Sequence, residues 1–515
     1  MLKIRPSVPR KNKDATPPPM VWRTTAARIS TWFGFVLMCL GMFMAILDIQ
    51  VVATSLPTIQ HALAISPDTM SWIQTAYLIA EITAIPLTGW LTRVLTLRWL
   101  FVIAIYIFTL ASIGCAFSSN FTSLVAFRVV QGFAGGTLIP AVFSGIFLLF
   151  PARSHPVAGT IAGIVAVLAP TVGPVVGGWI TYHYSWPWLF LINVVPGIIA
   201  GVATPFLLPR GRPRLNQLKN FDGISLALLA LALASLEIGL KQAPQDGWFS
   251  TICLGLFGLC AATLALFALR TLRAVQPIVE LATLAVRPFS IGCILSFCLG
   301  VGLFGAVYLI PVFLGYVRQR DALQIGSIML VTGAGQLLAA PIVGVLESRL
   351  DSRWLSAFGF SVFTLGLGLS AFESRVADFD EMFWPQILRG FAAMFCLLPP
   401  TRLALETLPP KQVPDASGLF NMMRNLGGAV GIALIDTILY GRTSGHAEAI
   451  RQSLIAGDIH AAQMIGLDRL PADVSAAGPM IEQAAFAASA NEAWALLAFV
   501  ALLGLLVIPF ADSRR

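Results

Sequence analysis

This sequence predicts an all-α integral membrane protein, with fourteen transmembrane helices forming two six-helix bundles and two further helices inserted between them. Three observations carry that expectation. Hydrophobic residues make up 57% of the 515 residues and charged ones only 11%, less than half of the about 25% that a soluble protein of ordinary composition carries. Apolar runs of about 20 residues, the length that crosses about 30 Å of hydrocarbon at helical rise, recur fourteen times. The chain also repeats itself. PLTGWLTRVLTLRWL (86–100) resembles PIVGVLESRLDSRWL (341–355), and QGFAGGTLIP (131–140) resembles RGFAAMFCLLP (389–399), at offsets of about 255 to 258 residues.

In chain order the apolar runs fall near 33–58, 72–92, 99–118, 122–145, 157–180 and 187–208, then 222–241 and 250–270. The last six lie near 289–316, 324–346, 353–372, 382–405, 418–440 and 492–511. The repeat pairs the first six with the last six. Residues 33–208 therefore read as one bundle, 289–511 as the other, and 209–288 as a linker holding the two extra helices. Duplicated bundles flanking a midplane cavity are the architecture of alternating-access carriers. The first run is too long for the core of a cleaved signal peptide and is expected to remain as the first span. Residues 442–491 form the one long outer loop, whose Ala-rich sequence of mixed charge suggests amphipathic helix.

A net charge of +8 invites a nucleic-acid reading, but the distribution of the 33 Lys and Arg removes it. With the amino terminus inside, most of them lie on the cytoplasmic side. They cluster in the basic arm 1–32, at Arg93 and Arg98, from Arg210 to Lys219, and from Arg270 to Arg287. The outer side keeps Lys241, Arg318, Arg320, Arg375, Arg442, Arg451 and Arg469. This is the positive-inside bias, and an even number of helices returns the tail 512–515 to the cytoplasm. Solvated, topology-setting charge is the reading preferred for the basic arm, with contact to anionic membrane lipid as its alternative.

All seven cysteines (Cys39, Cys115, Cys253, Cys260, Cys293, Cys298 and Cys396) fall in apolar spans with no disulfide framework or metal-spaced pair. The five histidines (His61, His155, His183, His446 and His460) lie at helix ends or in loops, which argues against haem, di-metal or intramembrane zinc chemistry. No metal or cofactor is expected. A phosphate-binding GxxxxGK[ST] loop is absent, as is a GxSxG nucleophile elbow. The chain is thus not expected to be an enzyme, and its energy comes from an ion gradient unless transport is passive.

The fifth run contains IVAVLAPTVGPVVGGWI (164–180), apolar enough to span yet rich in helix breakers. Gly159, Gly163, Ala166, Pro170, Gly173 or Pro174, and Gly177 recur at steps of three to four, a stripe of small residues on one face, with Gly178 beside it. Gly326, Gly333, Ala340 and Gly344 make a matching stripe in the other half. The two are expected to meet and to let the halves rock, with the prolines softening the helix where it bends.

Ionisable groups inside spans cost about 2.5 to 3.5 kcal/mol each on insertion scales, so each is a functional candidate. Asp48, deep in the first run, is the leading proton-coupling candidate; its structural alternative is a carboxylate hydrogen-bonded to a neighbouring helix. Glu81, in the second run, could share the proton or touch a cationic substrate. Asp436, in GIALIDTILY, is a further intramembrane acid. Arg128 is followed by Gly132, Gly135 and Gly136 at helical spacings, a cation on a face that admits close neighbours, and Gln131 could extend its network. As a structural residue, Arg128 would instead hydrogen-bond loop or helix-end carbonyls. Arg389 and Arg424 sit near span ends, where snorkelling accounts for them. Glu237, in an inserted helix, is expected to be peripheral. Trp179, Tyr182, Tyr184, Trp186 and Trp188 gather at one outer turn and read as an interfacial belt.

These motifs together resemble one family. LAPTVGPVVGGWI is similar to the GP-x-x-GG signature of antiporters in the major facilitator superfamily, and FRVVQGFAGG (127–136) to that superfamily's fourth-helix motif. LDIQVVATSLPTI (47–59) resembles the first-helix motif, and WPWLFLINVVPG (186–197) the start of the sixth helix. With IPLTGWL (85–91), the pattern resembles the EmrB/QacA branch of 14-helix drug/proton antiporters over nearly the whole chain. The resemblance implies a proton-handling role for Arg128. It also implies a periplasmic adaptor and an outer-membrane channel as partners, as EmrB-type pumps use. One stretch departs from the superfamily. Where the second-to-third loop usually reads G-x-L-x-D-R-x-G-R-[RK], GWLTRVLTLR (89–98) has Arg93 in place of the acid and Thr96 in place of the glycine, which puts gating by an acid in that loop in doubt.

The expected function is proton-coupled transport of small amphipathic organic compounds across the bacterial inner membrane, as multidrug efflux by alternating access. The alternative on the same fold is an importer of a small nutrient or vitamin such as riboflavin. No substrate-binding residue is named by the sequence.

Overall fold

The computed structural model describes residues 25–65, 72–214, 222–274, 277, 279–320, 322–410, 412–471 and 473–511. Most of the basic arm, part of the 210–219 cluster and the tail 512–515 lie outside the described residues. In a bilayer every backbone polar group must be satisfied within the protein, which leaves helices for a sequence this apolar. The described residues are helical almost throughout.

The first half comprises α1 (Thr25–Leu63), α2 (Trp72–Ala84), α3 (Leu87–Ala116), α4 (Phe121–Leu149), α5 (His155–His183), the short α6 (Trp188–Leu191) and α7 (Val194–Leu207). The inserted pair is α8 (Gly223–Asp246) and α9 (Thr251–Arg273). The second half comprises α10 (Arg287–Tyr316), α11 (Ala322–Glu347), α12 (Ser352–Ser370), α13 (Phe379–Leu405), α14 (Val413–Ile455), α15 (Ile459–Met464) and α16 (Gly478–Val507).

Twelve described helical stretches are long and apolar enough to cross a membrane. α3 is broken at Thr96, whose φ of 73° and ψ of 155° leave the helical region. Its first part continues the crossing that α2 begins, past the turn at Ile85–Pro86, and its second part is the next crossing. With that division and the 19 residues of α12, fourteen crossings result, as the sequence predicts.

Side-chain caps start several helices. Asn120 accepts from the Ser123 amide at 2.8 Å, Ser250 from the Cys253 amide at 3.3 Å, and Asp222 from the Ser225 amide at 3.2 Å, each filling one of the donors that a helix start leaves open. The Arg270 guanidinium, 2.9 Å from Asp222, together with this cap holds the Asp222 carboxyl down at about 2.

Each half has its own apolar core, one around Phe35, Phe101, Phe108 and Phe143, the other around Phe313, Phe360, Phe363 and Trp494. A third cluster crosses between them at one end, joining Trp90 and Val94 of α3 to Ala416, Leu419 and Phe420 of α14, with Leu229 and Leu233 of α8 packed in. α8 is therefore no appendage. Its Lys241 Nζ donates to Thr75 Oγ1 of α2 at 2.9 Å and lies 5.2 Å from the Trp72 ring. Glu237, expected at the periphery, is only partly exposed one turn before Lys241; the helix uses this face for packing.

The region expected as a long outer loop is largely helical. α14 and α16 continue past the membrane stretches and close with α15 over a small core of Ile450, Leu454, Ile465 and Ile481. At the turn before α6, Trp179, Tyr182, Tyr184 and Trp188 are 48%, 86%, 55% and 51% exposed, the outward arrangement that an interfacial belt needs.

Candidate functional site

Five elements of the first half converge on Asp48. Its side chain is sealed from solvent, as is that of Arg128. Arg128 Nη1 donates to Asp48 Oδ2 at 2.5 Å, and the other carboxylate oxygen accepts from Gln131 Nε2 at 2.9 Å and from Asn193 Nδ2, just before α7, at 2.8 Å. Arg128 Nη1 also reaches Gln131 Oε1 at 2.8 Å, and Gln131 Nε2 reaches Ser112 Oγ of α3 at 2.9 Å. Nε of Arg128 donates to the Ile73 carbonyl at the start of α2, 3.1 Å away. Arg128 thus pairs with an acid and also holds a carbonyl in the first turn of α2. Its remaining nitrogen, Nη2, has no acceptor among the described residues; the guanidinium instead lies 4.1 Å from the Tyr77 ring, a cation–π contact.

The glycines after Arg128 explain how α2 comes so near. A Cβ on Gly132 would collide with the Tyr77 carbonyl, and one on Gly136 with the Glu81 carbonyl, while Gly135 faces the Tyr77 hydroxyl. The second half repeats the device, with Gly390 against the Thr332 carbonyl, at the same offsets as the sequence repeat. Glu81 is 3% exposed and lies within electrostatic reach of Arg128 and of Arg424 in the other half.

The span-end arginines do not snorkel. Arg389 is 2% and Arg424 6% exposed. Both point into the protein, Arg389 over the Trp494 ring at 4.4 Å and Arg424 toward Phe143 at 5.6 Å, with Arg424 Nη2 donating to Asn421 Oδ1 at 2.6 Å. Span position gives depth, whereas snorkelling also needs a lipid-facing azimuth, which neither residue has. Asp436 lies apart from the Asp48 cluster, partly exposed, accepting from Tyr308 OH of α10 at 2.6 Å.

α5 and α11 pack together, but their glycine stripes do not meet glycine to glycine. Gly326, Gly333 and Gly344 of α11 receive Val175, Thr171 and Thr160 of α5, while Gly163 of α5 faces Met394 and Leu398 of α13, and Gly173 faces Gln50 of α1. Small residues on one helix thus accept β-branched side chains of the other. Pro174 and Gly177 are buried and Gly178 partly exposed.

At the Arg93 end the halves are latched. Arg93 forms an ion pair with Asp415 in the first turn of α14, and its Nη2 donates to the Pro277 carbonyl at 3.1 Å. Ser417 Oγ donates to the Pro140 carbonyl at 3.1 Å. Gly89 lies directly against Asp415, and Gly418 against the Ile85 carbonyl. Arg93, standing where the family pattern has an acid, pairs with an acid of the other half.

A sealed acid–base pair in the middle of one of two repeated apolar helix bundles, with polar latches between the halves, defines a polytopic membrane carrier. The family model described as Major Facilitator Superfamily matches residues 38–432, and the chain belongs to that superfamily. It is 39% identical over 436 residues to the colistin resistance protein EmrB of Acinetobacter baumannii, covering 84% of both chains. To the multidrug export protein EmrB of Escherichia coli K12 it is 32% identical over 417 residues, covering 81% of both. Among solved structures, the human organic anion transporter MFSD10 superposes with a TM-score of 0.60 at 14% identity, over 93% of this chain and 99% of that one, a likeness of fold alone.

Sequence reading missed Asn193, Ser112 and Tyr77. Asn193 stood in a quoted motif, as a polar residue in an apolar run. Nothing local distinguished the other two.

Proposed function

We propose that this chain is a proton-coupled secondary transporter that exports small amphipathic organic compounds across the inner membrane by alternating access. The observation that carries it is the Asp48–Arg128 pair, a dry carboxylate that can exchange its arginine partner for a proton. When Asp48 takes a proton, Arg128 and Gln131 lose their anionic acceptor, and α1, α2 and α4 are free to shift together. Export is favoured by the names of the relatives, one an export protein and one a resistance protein; no observation favours the vitamin importer.

In this reading residues 33–208 and 289–511 are the two moving bundles, and 209–288 carries the helices between them. The amino terminus is cytoplasmic, so the latched Arg93 end is the cytoplasmic face in its closed state. Glu81 passes the proton's effect across the seam to Arg424, and Asp436 is a second acid serving the other bundle. Gly173, Pro174, Gly177 and Gly178 let α5 slide and bend against α1 and α11. A periplasmic adaptor leading to an outer-membrane channel would meet the outer face, where α14 to α16 project.

The test is transport by the purified protein in liposomes under an imposed pH gradient. A lipophilic drug moving opposite to the protons is expected, with no riboflavin uptake. Riboflavin uptake without drug flux would overturn export.

A further inference from the structure

We propose that the cavity beside Arg389 seats the anionic head, a carboxylate or sulfonate, of a transported compound with an apolar body. The proposal rests on the transporter reading for what the ligand does, but not for whether it binds.

The two repeats place the argument. At an offset of 258, Arg128 and Gln131 of α4 correspond to Gln386 and Arg389 of α13, the same two donor side chains with their order exchanged. In the first half this pair grips the Asp48 carboxylate. In the second half the donors remain and the acid is gone. Offsets of about 255 to 258 from Asp48 lead to residues 303–306, Leu-Phe-Gly-Ala, and two of these, Leu303 and Ala306, line a cavity that Arg389 also lines.

Arg389 is the donor that lines the cavity. Its Nε, Nη1 and Nη2, and Nε2 of Gln386 on the same helix, are all buried without an acceptor among the described residues, an arrangement that costs free energy unless something else accepts from them. Glu373 is the acid whose charge reaches Arg389, but no ion-pair contact joins them among the described residues. Gly366 lies against the Arg389 stem, leaving no space for a side chain of its own there. The cavity is about 30 Å³, enough for a head group and not for a whole drug. Its remaining walls are mainly apolar, and Pro170 and Thr171 of α5 close it from the first half. A ligand held by Arg389 therefore touches both halves, with its body along the seam once they part. A planar guanidinium binds a carboxylate through two parallel hydrogen bonds, which sets the preference for an anion over a neutral amide.

The experiment is calorimetry on the full chain in detergent with 1-naphthaleneacetate and its uncharged counterpart 1-naphthaleneacetamide. Wild type is expected to bind the acid at least about tenfold more tightly than the amide. Arg389→Gln should lower acid affinity about tenfold and leave the amide unchanged, with Arg389→Lys between. Leu303→Asp supplies an internal carboxylate at the position matching Asp48 and should likewise abolish the preference. Equal affinity of wild type for acid and amide overturns the proposal without any variant, and so does unchanged acid binding by a folded Arg389→Gln protein. Gradient-driven export of tetraphenylphosphonium from liposomes separates the two claims. Cation export with no acid preference sinks the anion seat alone, and an Arg389-dependent acid preference without any flux supports the seat while sinking the transporter reading.

Discussion

Asp48 and Arg128 stand 2.5 Å apart with neither side chain reached by solvent, and each has further polar partners on other helices. A buried ion pair repays its desolvation only when the remaining hydrogen-bonding capacity is used. Here both carboxylate oxygens are occupied, Gln131, Asn193 and the Ile73 carbonyl use most of the remaining capacity, and the guanidinium lies against the Tyr77 ring.

Removing one partner should therefore cost more than removing both. Arg128→Met is expected to destabilise by about 3 to 5 kcal/mol by leaving the Asp48 charge stranded, and Asp48→Asn combined with Arg128→Met to recover a good part of it. Thermal unfolding in detergent of the single and double variants measures this; a double variant at the sum of the singles would deny the coupling.

The glycines of α4 should be sensitive where their faces are blocked by backbone. Gly132→Ala and Gly136→Ala push against the Tyr77 and Glu81 carbonyls and are expected to cost about 1 to 3 kcal/mol each. Gly255→Ala, on α9 with open space at its Cβ, should be neutral or stabilising by up to about 1 kcal/mol. The same unfolding assay compares them, and equal effects at all three sites would contradict the close-approach account.

Arg93 and Asp415 join the halves through an ion pair. Arg93→Glu or Asp415→Arg alone should cut gradient-driven transport about tenfold, a coupling of about 1.4 kcal/mol, and the double exchange should restore most of it. A double variant no better than either single would mean that the pair does not latch the seam.

Thr96 occupies a φ,ψ region that is essentially reserved for glycine, at the position where the family pattern has one. Thr96→Gly is expected to raise the unfolding temperature by relieving strain of about 1 to 3 kcal/mol. A lower unfolding temperature would show that the threonine side chain is needed there.

Much of this was legible beforehand. Fourteen crossings, two repeated halves and the candidacies of Asp48 and Arg128 follow from hydropathy, repetition and the cost of charge in lipid. What was not legible is azimuth and partnership. The depth of Arg389 and Arg424 could be read from the sequence, but not that they face inward. The stripes of α5 and α11 named the right pair of helices, yet a one-dimensional stripe does not say which helix supplies the knobs. Ser112 and Tyr77 belong to the Asp48 site only because α2, α3 and α4 pack as they do.

The most direct test of proton coupling follows substrate-triggered proton movement in liposomes with an entrapped pH dye, wild type beside Asp48→Asn. Asparagine keeps one acceptor oxygen at that position but cannot take up or release a proton. Substrate binding and downhill exchange should persist in the variant, while proton movement and uphill transport vanish. If Asp48→Asn still moved protons and accumulated substrate against its gradient, the coupling would have to lie elsewhere and the account given for Asp48 and Arg128 would be wrong.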